Sequence, residues 1–161
     1  MLIRDASAAD FERILQLNEE SVHFLSPLTL ARLETLHAEA AYHRVIDQNG
    51  EIAGFLLAFR EGTNYDSSNY VWFTERYDQF LYVDRIVVSK DFQGQGIGDK
   101  LYDDLFEFSR NSGVARITCE FDIDPPNDAS RRFHERFGFS EVGTRSYGEV
   151  VKQVSLQMVA V

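Results

Sequence analysis

The sequence predicts an α/β (α+β) domain in which one mixed, mostly antiparallel central sheet of about seven strands is flanked by helices on both faces. Three observations point there. The chain has 161 residues, 44% apolar and 26% charged, which suits one domain with a core of its own and excludes low-hydrophobicity disorder. Short apolar runs of strand type alternate with single helical patterns, the arrangement that packs helices on a sheet. Asn49-Gly50 stands between two adjacent runs, and Asn-Gly readily takes positive φ, so those runs form an antiparallel hairpin.

Taken in order, Leu2-Ile3-Arg4 is a first strand, and Ser7 as N-cap opens a helix carrying Phe11, Ile14, Leu15 and Leu17 at helical spacing. A second helix follows Ser26-Pro27, with Leu30, Leu33 and Leu36 on one face, and runs to about Ala41. Strands at Tyr42 to Ile46 and Ile52 to Phe59 flank the Gln48-Asn49-Gly50 turn. The segment Glu61 to Gln79 is long for a hairpin loop and rich in aromatics (Tyr65, Tyr70, Trp72, Phe73, Tyr77), which fits a wall of a pocket, a cover over a site or a dimer contact. Its part from Asn69 to Arg76 has helical character. A strand at Phe80 to Val88, a helix at Ile97 to Asn111, a strand at Ala115 to Phe121, a helix at Asn127 to Phe137 and a strand pair at Phe139 to Thr144 and Val150 to Met158 complete the order βααβββαβαββ. No linker or repeat interrupts it, so residues 1–161 read as one domain.

Charge and cysteine content narrow the function. Sixteen basic against 26 acidic residues give a formal net charge of −10, and an acidic chain gains nothing from the counterion release that drives nucleic-acid binding. The single cysteine, Cys119, has no partner for a disulfide or a zinc site and reads as core packing in a reducing compartment. The N-terminus lacks the pattern of a signal peptide, and the longest apolar stretch, Ile52 to Phe59, is far short of the ~18 residues that a membrane span needs. The expectation is a cytoplasmic protein with no metal, no membrane and no nucleic-acid partner.

Between the strand ending Ile86-Val87-Val88 and the helix opening at Ile97 lies Gln93-Gly94-Gln95-Gly96-Ile97-Gly98. Glycines at alternate positions let the backbone approach a ligand, and successive N–H groups at a helix N-terminus form a phosphate cradle worth about 0.3–1 kcal/mol per exposed anionic group. A dinucleotide fingerprint counted from Gly94 fails at Asp99, and a P-loop fails because Gly98 is followed by Asp99-Lys100-Leu101.

Gln93-x-x-Gly96-x-Gly98, placed between an apolar strand and a long helix, resembles the acetyl-CoA pyrophosphate loop of the GNAT superfamily of N-acetyltransferases. Asn127-Asp128-Ala129-Ser130-Arg131-Arg132-Phe133-His134-Glu135-Arg136-Phe137-Gly138-Phe139 resembles that superfamily's next motif, one strand further on. The resemblance covers the whole element order and is most specific from Leu81 to Val142. It implies central strands that splay apart, with acetyl-CoA as co-substrate lying between them. The backbone of Ile86, Val87 and Val88 would then pair with the pantetheine arm, while Gln93, Gly94, Gln95, Gly96, Ile97 and Gly98 hold the pyrophosphate. Asn127 and Ser130 would bond the cofactor arm, with a plain helix cap as the equal reading for Asn127. Many relatives carry Arg or Lys in the loop where this chain has Gln93 and Gln95, so backbone amides take more of the phosphate; Lys90, Lys100, Arg131 and Arg132 are candidates to add charge.

An acetyl transfer to a primary amine needs a base, because an amine of pKa ~10.4 costs roughly 4.6 kcal/mol to deprotonate at pH 7. Asp84 is the first choice. It interrupts an apolar strand, and alternation sets it on one face with Tyr82 and Ile86; a structural salt bridge, to Arg85 or to an arginine elsewhere, is the alternative. Glu120 and Asp122 come next. The departing thiolate needs a proton, and His134 stands where many relatives have Tyr; Tyr147 and Tyr82 are the alternatives. Glu19, Glu20 and His23 close the first helix near where the superfamily admits its acceptor. The reading is direct acetyl transfer from acetyl-CoA to an amine, with a homodimer possible. A non-catalytic acyl-CoA-binding or sensing module of the same fold is the alternative.

Overall fold

In the computed structural model, which describes residues 1–22, 25–148 and 152–161 and only the backbone of Tyr147, the chain begins with β1 (Leu2–Asp5). Ser7 then caps a 3-10 turn (Ala8–Asp10) that runs into α1 (Phe11–Glu20). Asp10 fixes this entry, since its carboxylate accepts from the Ser7 N–H at 2.9 Å and pairs with Arg4 at 2.8 Å. The second helix, α2 (Leu30–Glu39), starts later than Ser26-Pro27 suggests, because Thr29 is the residue whose hydroxyl accepts from the Arg32 N–H. It also stops before Ala41, since Ala40 is extended.

β2 (Tyr42–Gln48) and β3 (Glu51–Arg60) form the predicted hairpin, with Asn49 at φ 55 and Gly50 at φ 87. The aromatic segment contains α3 (Ser68–Thr74), an element that the predicted order does not count. β4 (Leu81–Val88), a 3-10 turn (Lys90–Phe92), α4 (Ile97–Asn111), β5 (Arg116–Asp124), α5 (Asp128–Arg136), β6 (Ser140–Tyr147) and β7 (Lys152–Ala160) follow the order read from the sequence. Val150, the predicted start of the last strand, lies outside the described residues.

All seven strands join one sheet in the order β1-β2-β3-β4-β5-β7-β6, and only the β4–β5 pair is parallel. α4 packs one face through Ile97, Leu101 and Leu105 against Leu81, Val83, Ile117 and Cys119, with Phe133 of α5 at the margin. On the other face α1 and α2 bring Phe11, Ile14, Leu17 and Leu33 to Val45, Phe55 and Val87. Beside them α3 brings Tyr70 and Phe73 to Phe59, Phe80, Tyr82 and Leu156. Ile14 and Leu17 are fully buried, which contributes about 1.5–3 kcal/mol each. Cys119 is part of this core, as its position in an apolar strand predicts. Among the described residues no helix is long and apolar enough to cross a membrane.

Candidate active site

The site starts from a failure of strand pairing. β4 and β5 are paired only at Leu81↔Ile117 and Tyr82↔Thr118, after which they part. Along its other edge β4 stays paired with β3 up to Gly54↔Val88. The backbone of β4 from Val83 to Val88 therefore faces a widening cleft instead of a neighbouring strand, with unspent hydrogen-bonding groups along it. This is the splay that the resemblance implies, and Ile86, Val87 and Val88 lie along it.

β4 is also bulged. Leu57 pairs with Arg85 and Ala58 with Val83, so Asp84 has no partner on β3. A bulge puts two neighbouring side chains on one face. Asp84 and Arg85 both point to the α1–α3 side, where Arg85 reaches Asn18 Oδ1 (2.9 Å) and the Ser26 carbonyl (3.2 Å). The simple alternation is thereby corrected: Asp84 shares its face with Tyr82, but Ile86 packs with Leu81 and Val83 on the α4 side.

Asp84 and Arg85 form a buried ion pair at 2.6 Å, with side chains 5% and 4% exposed. The Tyr65 hydroxyl donates to the other Asp84 oxygen. Burial and the Asp84 charge push the Tyr65 hydroxyl well above the usual phenol range. Two residues past the last β5 pairing position lies Glu120, on the same face. Its carboxylate accepts from Tyr82 Oη at 2.7 and 2.8 Å and from Asn69 Nδ2 at 3.2 Å. Among the described residues no cationic side chain pairs with it. Burial pushes its pKa up to about 8, with the Tyr82 bond opposing, the Asp84 charge adding and the Asn69 bond opposing. Asp122, the third carboxylate, lies 3.6 Å from Lys152 Nζ.

On the opposite face His134 is buried in α5. Its Nδ1 lies 2.7 Å from the Ser130 carbonyl, which only accepts, so Nδ1 carries the proton and Nε2 accepts from Tyr102 Oη at 2.6 Å. Burial lowers its pKa, so the ring is neutral at pH 7, in contrast to the partly charged imidazole expected from its unperturbed value. Asn127 caps α5, its side chain accepting from the Ser130 N–H at 3.3 Å. The Tyr147 side chain and His23 lie outside the described residues.

The glycine loop lies at the mouth of the cleft. Gly94 and Gly96 have φ of 77 and 73, a region that L side chains rarely adopt, and Gly96 is the N-cap of α4. Gln93, Gly94, Gln95 and Gly96 are exposed, and a Cβ on either glycine would meet nothing, so the outer side of the loop is open. The first amides of α4, at Ile97 and Gly98, have no intrahelical partner by helix geometry and face the N-terminal end of the helix. Gly98 also matters for packing, because a Cβ there would stand 3.0 Å from the Phe133 ring; the glycine lets α5 approach α4. Of the candidate cations, Arg131 is engaged with Asp128 (3.6 Å) and Glu135 (3.1 Å), and Lys100 lies beside Met1, while Lys90 and Arg132 are exposed. Glu19 and Glu20 are exposed at the end of α1.

Residues 8–139 match the Acetyltransferase (GNAT) family. The chain belongs to that family. Among curated proteins this GNAT chain is similar to the N-alpha-acetyltransferase 30 of Schizosaccharomyces pombe, 34% identical over 58 residues, which is 36% of this chain and 37% of that protein. It is also similar to the phosphinothricin N-acetyltransferase of Streptomyces coelicolor, 42% identical over 65 residues, 40% and 36% of the two chains. The aligned stretches thus span about a third of the length of these relatives. The fold is that of Ard1 from Thermoplasma volcanium, with a TM-score of 0.82 over 99% of this chain and 97% of that one at 20% identity. It is likewise that of yncA from Salmonella typhimurium, solved with acetyl-CoA, with a TM-score of 0.71 at 18% identity over 99% and 92% of the two chains.

Sequence reasoning named the loop, Asp84, Glu120 and His134. It gave no site role to Asn69, Tyr102 or Arg145 and took Tyr65 only as part of the aromatic segment; Tyr65, Asn69 and Tyr102 bond those groups, and Arg145 bonds Asn69. The polar residues of the aromatic segment were the only signal for the first two.

Proposed function

We propose that this GNAT protein is an acetyl-CoA-dependent N-acetyltransferase that passes the acetyl group directly to a primary amine, with Glu120 as the general base. The observation that carries the reading is the contrast between two carboxylates on one face of the cleft. Asp84 is neutralised by Arg85 at 2.6 Å, whereas Glu120 is held only by neutral donors. A base with a pKa of about 8 lies nearer an amine at ~10.4 than an ordinary carboxylate does, which lowers the uphill cost of the proton transfer. Asp84 then serves by fixing Arg85 and Tyr65 at the cleft wall.

Acetyl-CoA would lie between the parted strands. The free edge of β4 along Ile86, Val87 and Val88 is a hydrogen-bonding partner for the amides of the pantetheine arm. The amides of Gly94 to Gly98, open on their outer side, suit the pyrophosphate, and this arrangement uses no side-chain cation. Asn127 and Ser130, tied up in the helix cap, bring α5 to the arm. Glu120 takes a proton from the bound ammonium, and the amine nitrogen attacks the thioester carbonyl. The tetrahedral intermediate loses the second proton of its nitrogen and collapses with cleavage of the C–S bond, and one proton in balance is taken up by the departing thiolate to give free CoA thiol. We assign His134, hydrogen-bonded to Tyr102, to the polar wall on the thiolate side. Holding amine and thioester together removes about 7–11 kcal/mol from the barrier when the orientation is right.

The test is release of free CoA thiol from acetyl-CoA across a panel of primary amines. At least one amine is expected to support turnover, and Glu120→Gln is expected to lower kcat by about 100-fold or more while leaving acetyl-CoA affinity by calorimetry unchanged. An E120Q enzyme with wild-type kcat would overturn the assignment of the base.

A further inference from the structure

We propose that Asn69 and Arg145 are positioning residues for Glu120: Arg145 orients the Asn69 amide so that its N–H group donates to the carboxylate that serves as base. The inference rests on the reading of Glu120 given above and extends it to the aromatic segment and the edge strand.

Three elements far apart in the chain meet here. Asn69 belongs to α3, is 2% exposed, and lies 51 residues from Glu120. Its Nδ2 donates to Glu120 Oε1 at 3.2 Å, while its Oδ1 accepts from Arg145 Nη1 of β6 at 3.0 Å. A primary amide has one donating and one accepting end, so only this orientation satisfies both neighbours. Turned over, the amide would set its oxygen against a carboxylate and its N–H group against a guanidinium. Arg145 thereby keeps the donor facing Glu120 while remaining outside the carboxylate's own hydrogen-bonding shell. The base is thus steered without a direct ion pair of the Asp84–Arg85 kind.

Aromatic packing holds α3 where Asn69 can reach Glu120. The Trp72 indole lies over Gly143 of β6, where a Cβ would stand 2.6 Å from the ring, and the Arg76 guanidinium stacks 3.5 Å from the indole centroid. Tyr65 of the same segment reaches Asp84. Asp84 and Glu120 are therefore both gripped by side chains from residues 61–79. Of the three roles expected for this segment, wall, cover or dimer contact, the geometry points to the wall.

The experiment titrates Glu120 itself. Protein labelled with carboxyl-13C glutamate is followed by NMR across pH 4 to 10, with the Glu120 resonance assigned by its loss in Glu120→Gln. The wild-type resonance is expected to titrate well above an ordinary glutamate, and Asn69→Ala and Arg145→Met are each expected to move the midpoint upward, Asn69→Ala by about half a unit or more. A merely structural role would leave the midpoint unmoved. If Glu120 titrates high and both variants share the wild-type midpoint, the relay is wrong while the base survives. If wild-type Glu120 titrates like an ordinary glutamate and E120Q retains turnover, it is the base reading that fails. Arg145 lies on an edge strand and is partly exposed, so Arg145→Met decides the matter should Asn69→Ala not fold.

Discussion

His134 illustrates how much a residue's neighbours decide. Its place in the sequence motif makes it a proton donor by analogy, yet its ring has Nδ1–H committed to the Ser130 carbonyl and Nε2 committed to Tyr102. Tyr102 is fully buried, and burial holds its hydroxyl well above the usual phenol range, so it stays protonated and needs an acceptor. His134→Phe should preserve the aromatic packing with Phe121, Phe133 and Phe139 but leave that hydroxyl unpaired. The expected cost is about 1–3 kcal/mol of stability, read from urea denaturation, together with a fall in kcat that exceeds any change in KM. A variant as stable as the wild type would mean that the Tyr102 hydroxyl finds another acceptor. Glu120 and Asp84 make the same point. Both are carboxylates near the parting of β4 and β5, and their partners set them apart: Asp84 is half of an ion pair with the adjacent Arg85, whereas the proposed base Glu120 is held by neutral donors from distant elements.

Among the elements, the strands and the long helices follow from local pattern, whereas the bulge and α3 do not. The bulge at Asp84 shifts the alternation of β4 by one residue and sends Ile86 to the opposite face. No residue in Leu81 to Val88 announces it, because a bulge is defined by the count on the neighbouring strand. α3 is seven residues long, too short to be stable alone, and is fixed by the packing of Tyr70 and Phe73 on Phe80 and Tyr82. Its seat on β6 depends on Gly143. Gly143→Ala brings a methyl group to 2.6 Å from Trp72 and should either displace α3 or strain the sheet, at a cost of about 1–3 kcal/mol in thermal or chemical denaturation. Because α3 carries Asn69, the same variant should also lower activity. Unchanged stability would show that Trp72 has room to move.

Across the whole molecule, two buried groups shape stability against pH in opposite directions. Glu120 is raised to about 8 in the folded state from an unfolded value near 4.5, so the native protein binds the extra proton between those values and stability falls as pH rises through them. His43 is held down at about 4 by burial and by His37, whose Nδ1 lies 2.7 Å away, and its Nε2 is buried without a hydrogen-bond partner. The unfolded chain binds that proton first, so stability is lost as pH falls from about 6.5 toward 4. Asp10, held low chiefly by its hydrogen bond from Arg4, loses stability at still more acid pH. Urea denaturation between pH 4 and 9 should therefore show a maximum in the mildly acid range. Glu120→Gln should flatten the alkaline side and His43→Leu the acid side. A profile that E120Q leaves unchanged would place Glu120 in a far more solvated setting.

The family, the order of the long elements and the glycine loop were legible in the bare chain, since they rest on periodicity and on motifs contained within short stretches of it. So was the presence of three acidic residues on two strands, Asp84 within one and Glu120 and Asp122 toward the end of the next, within a net charge of −10. Which of them is free of a cation was settled by tertiary contacts alone. Asp84 takes its partner from the next residue because a bulge turns both side chains to one face. Glu120 takes a neutral donor from 51 residues upstream, and that donor is oriented by an arginine 76 residues beyond it. Charge on a side chain is written in the sequence, but its protonation depends on what folding brings within hydrogen-bonding reach.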